Sequence, residues 1–154
     1  MKILMLSWEY PPHNVGGLGR HVEDLSLSLA RRGQRIHVIT LGPQEEEEKR
    51  PGVWIHRVAS YPLQYHDFLT WVLQLNIRFL EKAIEIVDRY GPFHIIHGHD
   101  WLVAFAARAL KHAYRVPLVA TIHAIEAGRN QGLCSDLQRF INSVEWWLTY
   151  EAWK

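Results

Sequence analysis

Short apolar runs rich in β-branched residues alternate with amphipathic helical patterns along this chain, and few architectures accept that alternation. Ile3 to Ser7 is a continuous apolar run of the kind that is buried on both faces of a sheet, and Ile36 to Leu41 is a second. Between them Leu18, Val22, Leu25 and Leu29 recur at helical spacing, with Arg31 and Arg32 in the last turn and Gly33 as the stop. These form a βαβ unit. Val53 to Val58 reads as a third strand, His94 to His99 as a fourth and Pro117 to His123 as a fifth. A long helix is expected over about Asp67 to Tyr90, with Leu69, Leu73, Ile77, Leu80, Ile84 and Val87 on its buried face and Gly91-Pro92 ending it. A further helix runs from Trp101, with Leu102, Ala106, Ala109, Leu110 and Ala113 facing inward. The fold class is therefore α/β: a doubly wound parallel sheet of about five or more strands with helices on both faces and right-handed crossovers.

Two segments stand outside this pattern. Glu45 to Glu48 with Lys49-Arg50 reads as a solvated charged loop. The last residues, Val144 to Lys154, read as a helix with no Gly, Asn or Pro to end it. Its apolar residues form two stripes, Val144, Trp147, Leu148 and Ala152 on one, Trp146, Tyr150 and Trp153 on the other. A helix apolar most of the way round expects a partner on both sides. The expectation is one domain over residues 1–154, cut within that helix, with a partner domain missing.

Composition removes several classes of function. A net charge of +1 with no dense Lys/Arg patch gives no electrostatic case for nucleic acid. Cys134 is the sole cysteine, which excludes an internal disulfide and fits a reducing, cytoplasmic compartment. Met1 to Leu6 is too short for a signal sequence, and no apolar run reaches the roughly 18 residues of a membrane span.

In an open parallel sheet, ligands bind beyond the carboxyl ends of the strands, where the strand order reverses. Gly16-Gly17 follow strand one and open a helix, whose first amides lack intrahelical partners and whose dipole favours anions. His97-Gly98-His99-Asp100-Trp101 ends strand four, and Thr121-Ile122-His123 ends strand five. With the order 3-2-1-4-5 all three features surround one cleft. Each also has a plainer role: Gly16-Gly17 as a tight turn before a helix, Asp100 as a helix N-cap, His123 as a strand-end histidine bonded to backbone. His97, alternating with Gly98, has a plain place pointing into the sheet and ranks below His99.

Other chemistries lack their residues. Strand two ends in Thr40-Leu41-Gly42, without the acidic residue of a dinucleotide site, and no G-x-x-x-x-G-K-[ST] segment exists. His97-x-His99-Asp100 lacks the remaining ligands of a metal centre, so no metal ligand is assigned. A nucleophile elbow and a clearly placed carboxylate pair are also missing.

Glu9-Tyr10-Pro11-Pro12, then Gly16-Gly17-Leu18-Gly19-Arg20-His21-Val22 and a helix ending at Arg32-Gly33, resembles the amino-terminal domain of retaining GT-B glycosyltransferases. His97 to Trp101, Thr121 to Ala124 and Trp147 to Trp153 look like the glycogen and starch synthase branch. The resemblance implies a Rossmann-like, acceptor-side half of an enzyme that transfers glucose from UDP-glucose or ADP-glucose, as co-substrate and without a bound cofactor, to an α-1,4-glucan. It places Gly16, Gly17 and Leu18 at the donor diphosphate, His123 and Asp100 at the reacting sugar, and His99, Trp101, Asn14 and Glu126 at the acceptor or sugar. A carboxy-terminal domain holding the nucleotide would pack on the terminal helix, and this half alone would be inactive. Asn14 departs from the lysine that bacterial glycogen synthases commonly place there, so it supplies no charge to a diphosphate. A lipid or small-molecule acceptor, or a non-catalytic carbohydrate-binding or regulatory subunit, are the alternatives.

Overall fold

The computed structural model describes residues 1–129 and 132–153. In chain order the elements are β1 (Lys2–Leu6), α1 (Gly17–Arg31), β2 (Arg35–Leu41), β3 (Glu46–Arg50), β4 (Val53–Val58), α2 (Phe68–Tyr90), β5 (Ile95–His99), a 3-10 turn (Trp101–Val103), α3 (Ala104–Tyr114), β6 (Leu118–Thr121), α4 (Glu126–Arg129) and α5 (Asp136–Trp153). The sheet order is β3-β4-β2-β1-β5-β6. All pairings are parallel except β3 with β4. The expected five-strand order is thus present, with β1 and β5 flanking the reversal.

Side chains alternate across the pleat, so β1 feeds two cores. Ile3 and Met5 join Ile36, Val38, Val53 and Ile55 under Leu18 and Val22 of α1. Leu4 and Leu6 join Ile39, Val58 and Ile96 under α2, α3 and α5. No helix among the described residues is long and apolar enough to cross a membrane.

Three local expectations need correction. The acidic run is a strand, not a solvated loop: β3 turns back through Pro51-Gly52, with Gly52 at φ 77°, and pairs antiparallel with β4. Cations placed around that sheet edge make this tolerable. Glu48 bridges Arg50 at 2.6 Å and Arg57 at 2.9 Å, Glu45 meets Lys82 at 3.0 Å, and Glu47 meets Arg89 at 2.9 Å. The buried face of α2 is also rotated from the expected stripe. Val72, Leu75, Asn76, Phe79, Ala83 and Ile86 are buried, whereas Leu73, Ile77 and Ile84 are half exposed. Through the 3-10 turn and α3, Leu102, Ala106 and Leu110 are buried as expected, with Ala104 and Ala107 beside them, but Ala109 is half-buried and Ala113, in the last turn, is exposed.

Asn76 shows why α2 chose its face. Its amide donates to Val72 O at 2.7 Å and to Leu102 O at 2.8 Å, and accepts from Ala106 N at 2.8 Å. One buried side chain therefore satisfies an orphan amide in the first turn of α3 and ties α2 to the segment that follows β5. Replacing it by Leu fills the volume but leaves Ala106 N and Leu102 O without that partner. Asn76→Leu should cost about 2–4 kcal/mol of unfolding free energy, read from urea denaturation.

On the opposite half of the sheet His37 and His56 are buried, with His37 Nδ1 3.0 Å from His56 Nε2. Burial lowers the pKa of His37 to about 3 and of His56 to about 4. Glu47, 3.5 Å from His56, opposes that shift, while Lys2 near His37 and Lys82 and Arg89 near His56 reinforce it. The folded values lie below the unfolded value of about 6.5, so the unfolded chain binds more protons in between. Stability should therefore fall as pH drops from about 6.5 toward about 4, and His56→Asn should flatten that slope by roughly one proton, measured by denaturation at stepped pH.

Candidate active site

The site is built on the carboxyl ends of β1, β5 and β6. After β1 the chain turns at Tyr10, whose carbonyl accepts from His13 N at 3.0 Å, and Arg57 of β4 donates to Pro11 O at 2.7 Å. The loop is then held from inside by Glu9. This carboxylate is 3% exposed and accepts from Val15 N and, at 3.0 Å, from Gly16 N. No side chain caps the N-terminus of α1 at Gly16. Gly19, one turn into α1, is required by close approach: a Cβ there would lie 2.3 Å from Asn14 Oδ1. Asn14 thus packs on the helix.

After β5, Asp100 takes φ 70° and ψ 167°, a region almost reserved for glycine. Its amide donates to Thr121 O at 2.8 Å, continuing the β5–β6 pairing, and its carboxylate accepts from Trp101 N at 3.0 Å as the cap of the 3-10 turn. The cap expected of Asp100 is present. Burial raises its pKa, against the Trp101 amide and against Arg129, whose Nη2 lies 3.7 Å from Oδ2.

β6 ends at Thr121, earlier than expected, so His123 stands in the turn beyond it. There it joins other histidines. His99 Nδ1 is 3.3 Å from His123 Nε2, the His97 and His99 rings are 4.0 Å apart, and His97 Nε2 is 2.8 Å from Thr121 Oγ1. His21 of α1 closes the group, its ring 5.0 Å from His123 and 6.0 Å from His99. Burial lowers the pKa of His99 to about 2 and of His97 to about 4, and lowers that of His123 in the same direction.

A cleft of about 440 Å³ lies between these segments, lined by Trp8, Glu9, Val15, Gly16, Gly17, Leu18, Asp100, Trp101, Leu102, His123 and Arg129. Six of the residues singled out from the sequence meet there: Gly16, Gly17, Leu18, Asp100, Trp101 and His123. Trp101 is 4% exposed, so it offers the cleft little surface. His99 is fully buried beside His123. Asn14 is not among the lining residues, nor is Glu126, whose amide is bound by the Glu145 carboxylate at 3.0 Å. Sequence reasoning did not single out Trp8, Glu9, Arg129 or His21 as site residues. Glu9 had a usable signal, an acidic residue just past a buried strand, and His21 lies one helical turn after Gly17.

A Rossmann-like sheet with a polar cleft at its switch point is the class this geometry defines. Residues 15–154 match the model of Glycosyltransferase Family 4, and the chain belongs to that family. It is 39% identical over 168 residues to a glycogen synthase of Mycobacterium tuberculosis, a match covering 99% of this chain and 41% of that protein. It is 42% identical over 155 residues to an uncharacterized glycosyltransferase of Methanocaldococcus jannaschii, covering 99% and 38%. The fold is similar to that of sucrose-phosphate synthase from Thermosynechococcus elongatus, with TM-score 0.78 and 21% identity over 96% of this chain and 39% of that one. The chain thus spans about two fifths of the length of these curated relatives, and its sheet has the Rossmann-like fold of the amino-terminal domain of GT-B glycosyltransferases.

The backbone at Asp100 yields a test of local strain. Ala and Gly both remove the carboxylate, but only Gly tolerates the observed φ and ψ. Asp100→Gly should be more stable than Asp100→Ala by about 1–3 kcal/mol, measured as the difference between their urea unfolding free energies.

Proposed function

We propose that this chain is the acceptor-side half of a retaining glycosyltransferase that moves glucose from UDP-glucose or ADP-glucose onto an α-1,4-glucan. The observation that carries this reading is the convergence of the glycine loop, Asp100 and His123 on one cleft, in a chain 39% identical to a glycogen synthase. The Gly17 and Leu18 amides, at the positive end of α1, face the diphosphate. His123 and Asp100 hold the transferred sugar from the other side. Neutral His123 orients hydroxyls, and the carboxylates of Glu9 and Asp100 favour the positive charge that develops as the glycosidic bond to the diphosphate breaks. Front-face attack by the acceptor hydroxyl, with its proton passing to the leaving diphosphate, retains the anomeric configuration. Positioning and fixed charge carry the rate, without a covalent nucleophile.

The donor nucleotide lies on a second domain, which we place against the exposed Trp146, Tyr150 and Trp153 stripe of α5, and the reaction is assigned to the cytoplasm. Asn14 favours a second reading, a small-molecule or lipid acceptor, because a neutral amide stands where glucan synthases commonly carry a lysine. The full-length protein should elongate maltooligosaccharides from UDP-glucose or ADP-glucose with α-linked product by NMR, and His123→Ala should lower kcat about 100-fold or more with an unchanged Tm. A β-linked product removes the retaining mechanism. Transfer to small acceptors but not to maltooligosaccharides selects the second reading.

A further inference from the structure

We propose that His21, His99 and His123 form a three-histidine site for a divalent transition-metal ion, with zinc the best match. One nitrogen from each ring lies within 4.8 Å of the others, on three separate elements of the fold: α1, the end of β5 and the turn after β6. The spacing is already close to that of a metal site. His99 Nδ1 and His123 Nε2 are 3.3 Å apart. Two imidazole nitrogens on a tetrahedral zinc, each bound at about 2.0–2.1 Å, lie about 3.3–3.4 Å from one another. The His21 nitrogen, within 4.8 Å of the others, has to close in, and His21 is exposed.

The surroundings favour a cation. The carboxylates of Glu9 and Asp100 both act on His123, against His21 and the Arg129 guanidinium. Three imidazoles suit zinc, copper or nickel and disfavour magnesium and calcium, which take oxygen ligands. A fourth position is left for water or solute from the cleft, as in open zinc sites.

The ion uses the same His123 that the proposed function assigns to the sugar. On that reading metal and donor sugar exclude each other, and the metal is an inhibitor rather than a cofactor. The site itself stands or falls by binding alone. Tag-free full-length protein is titrated with ZnCl2 by calorimetry and with CoCl2 by visible absorption, alongside His21→Ala and, as a control, His66→Ala in the exposed loop before α2. One equivalent of zinc, a tetrahedral cobalt spectrum and at least a tenfold loss of affinity in His21→Ala uphold the site, with His66→Ala unchanged. Equal affinity in His21→Ala and the parent, or no binding in either, overturns it. Glucose transfer without such binding overturns the site and leaves the function standing. Binding without transfer does the reverse.

Discussion

The parallel pairing of β1 with both β2 and β5 is the constraint from which the site follows. Because β1 sits in the middle of the order β3-β4-β2-β1-β5-β6, the chain leaves it toward one side and returns on the other. The loops that follow β1 and β5 then separate above their carboxyl ends. The glycine loop enters the gap from one strand and Asp100 from the next. One register step further, Gly98 pairs with Ala120 and His99 with Thr121, which carries His123 up beside His99. These groups come from three segments far apart in sequence, around Gly16, Asp100 and His123, and a different strand order would disperse them.

The features that shape the cleft also break local rules, and neighbouring elements hold them in place. Asp100 keeps an unfavourable backbone conformation because β6 binds its amide and the 3-10 turn binds its carboxylate. That turn is anchored by Asn76 from α2. Glu9 is buried at the start of the site, its charge met by loop amides. Arg57, 1% exposed on β4, reaches across to Pro11 O while Glu48 of the edge strand neutralises it at 2.9 Å. The charged β3 therefore has a structural part in holding the glycine loop after β1, three strands away.

How much of this was legible depends on whether the signal was local. Apolar runs and helical spacing made the strands, helices and three strand-end segments readable, because periodicity reports which faces are buried, whereas the strand order entered only as a condition of the doubly wound class. Charge misled at Glu45 to Glu48: hydrophilicity argued for a loop, but an edge strand needs only one partner, and the cations that steady it come from β4 and α2. On α2, two apolar stripes competed. The winner was decided by Asn76 bonding to α3, a tertiary contact with no periodic signature. Arg129 escaped notice for the same reason, reaching the site from α4, whereas His21 lies on α1, one turn after Gly17.

Charge in the cleft bears on which half of a transfer reaction this chain can serve. Its lining holds Glu9 and Asp100 against Arg129, and Asn14 adds no cation. The one carboxylate already bonded to the loop occupies the Gly16 amide, leaving the first-turn amides of α1 as the anion-attracting element. A diphosphate brings two or more negative charges, which these groups do not balance by themselves. A sugar acquiring positive character at its anomeric carbon meets the opposite situation, because buried carboxylates interact strongly where water is excluded. The electrostatics of this lining therefore favour the sugar end of a donor over its diphosphate. The same negative field, with three imidazole nitrogens inside it, is what makes a divalent metal ion a natural competitor.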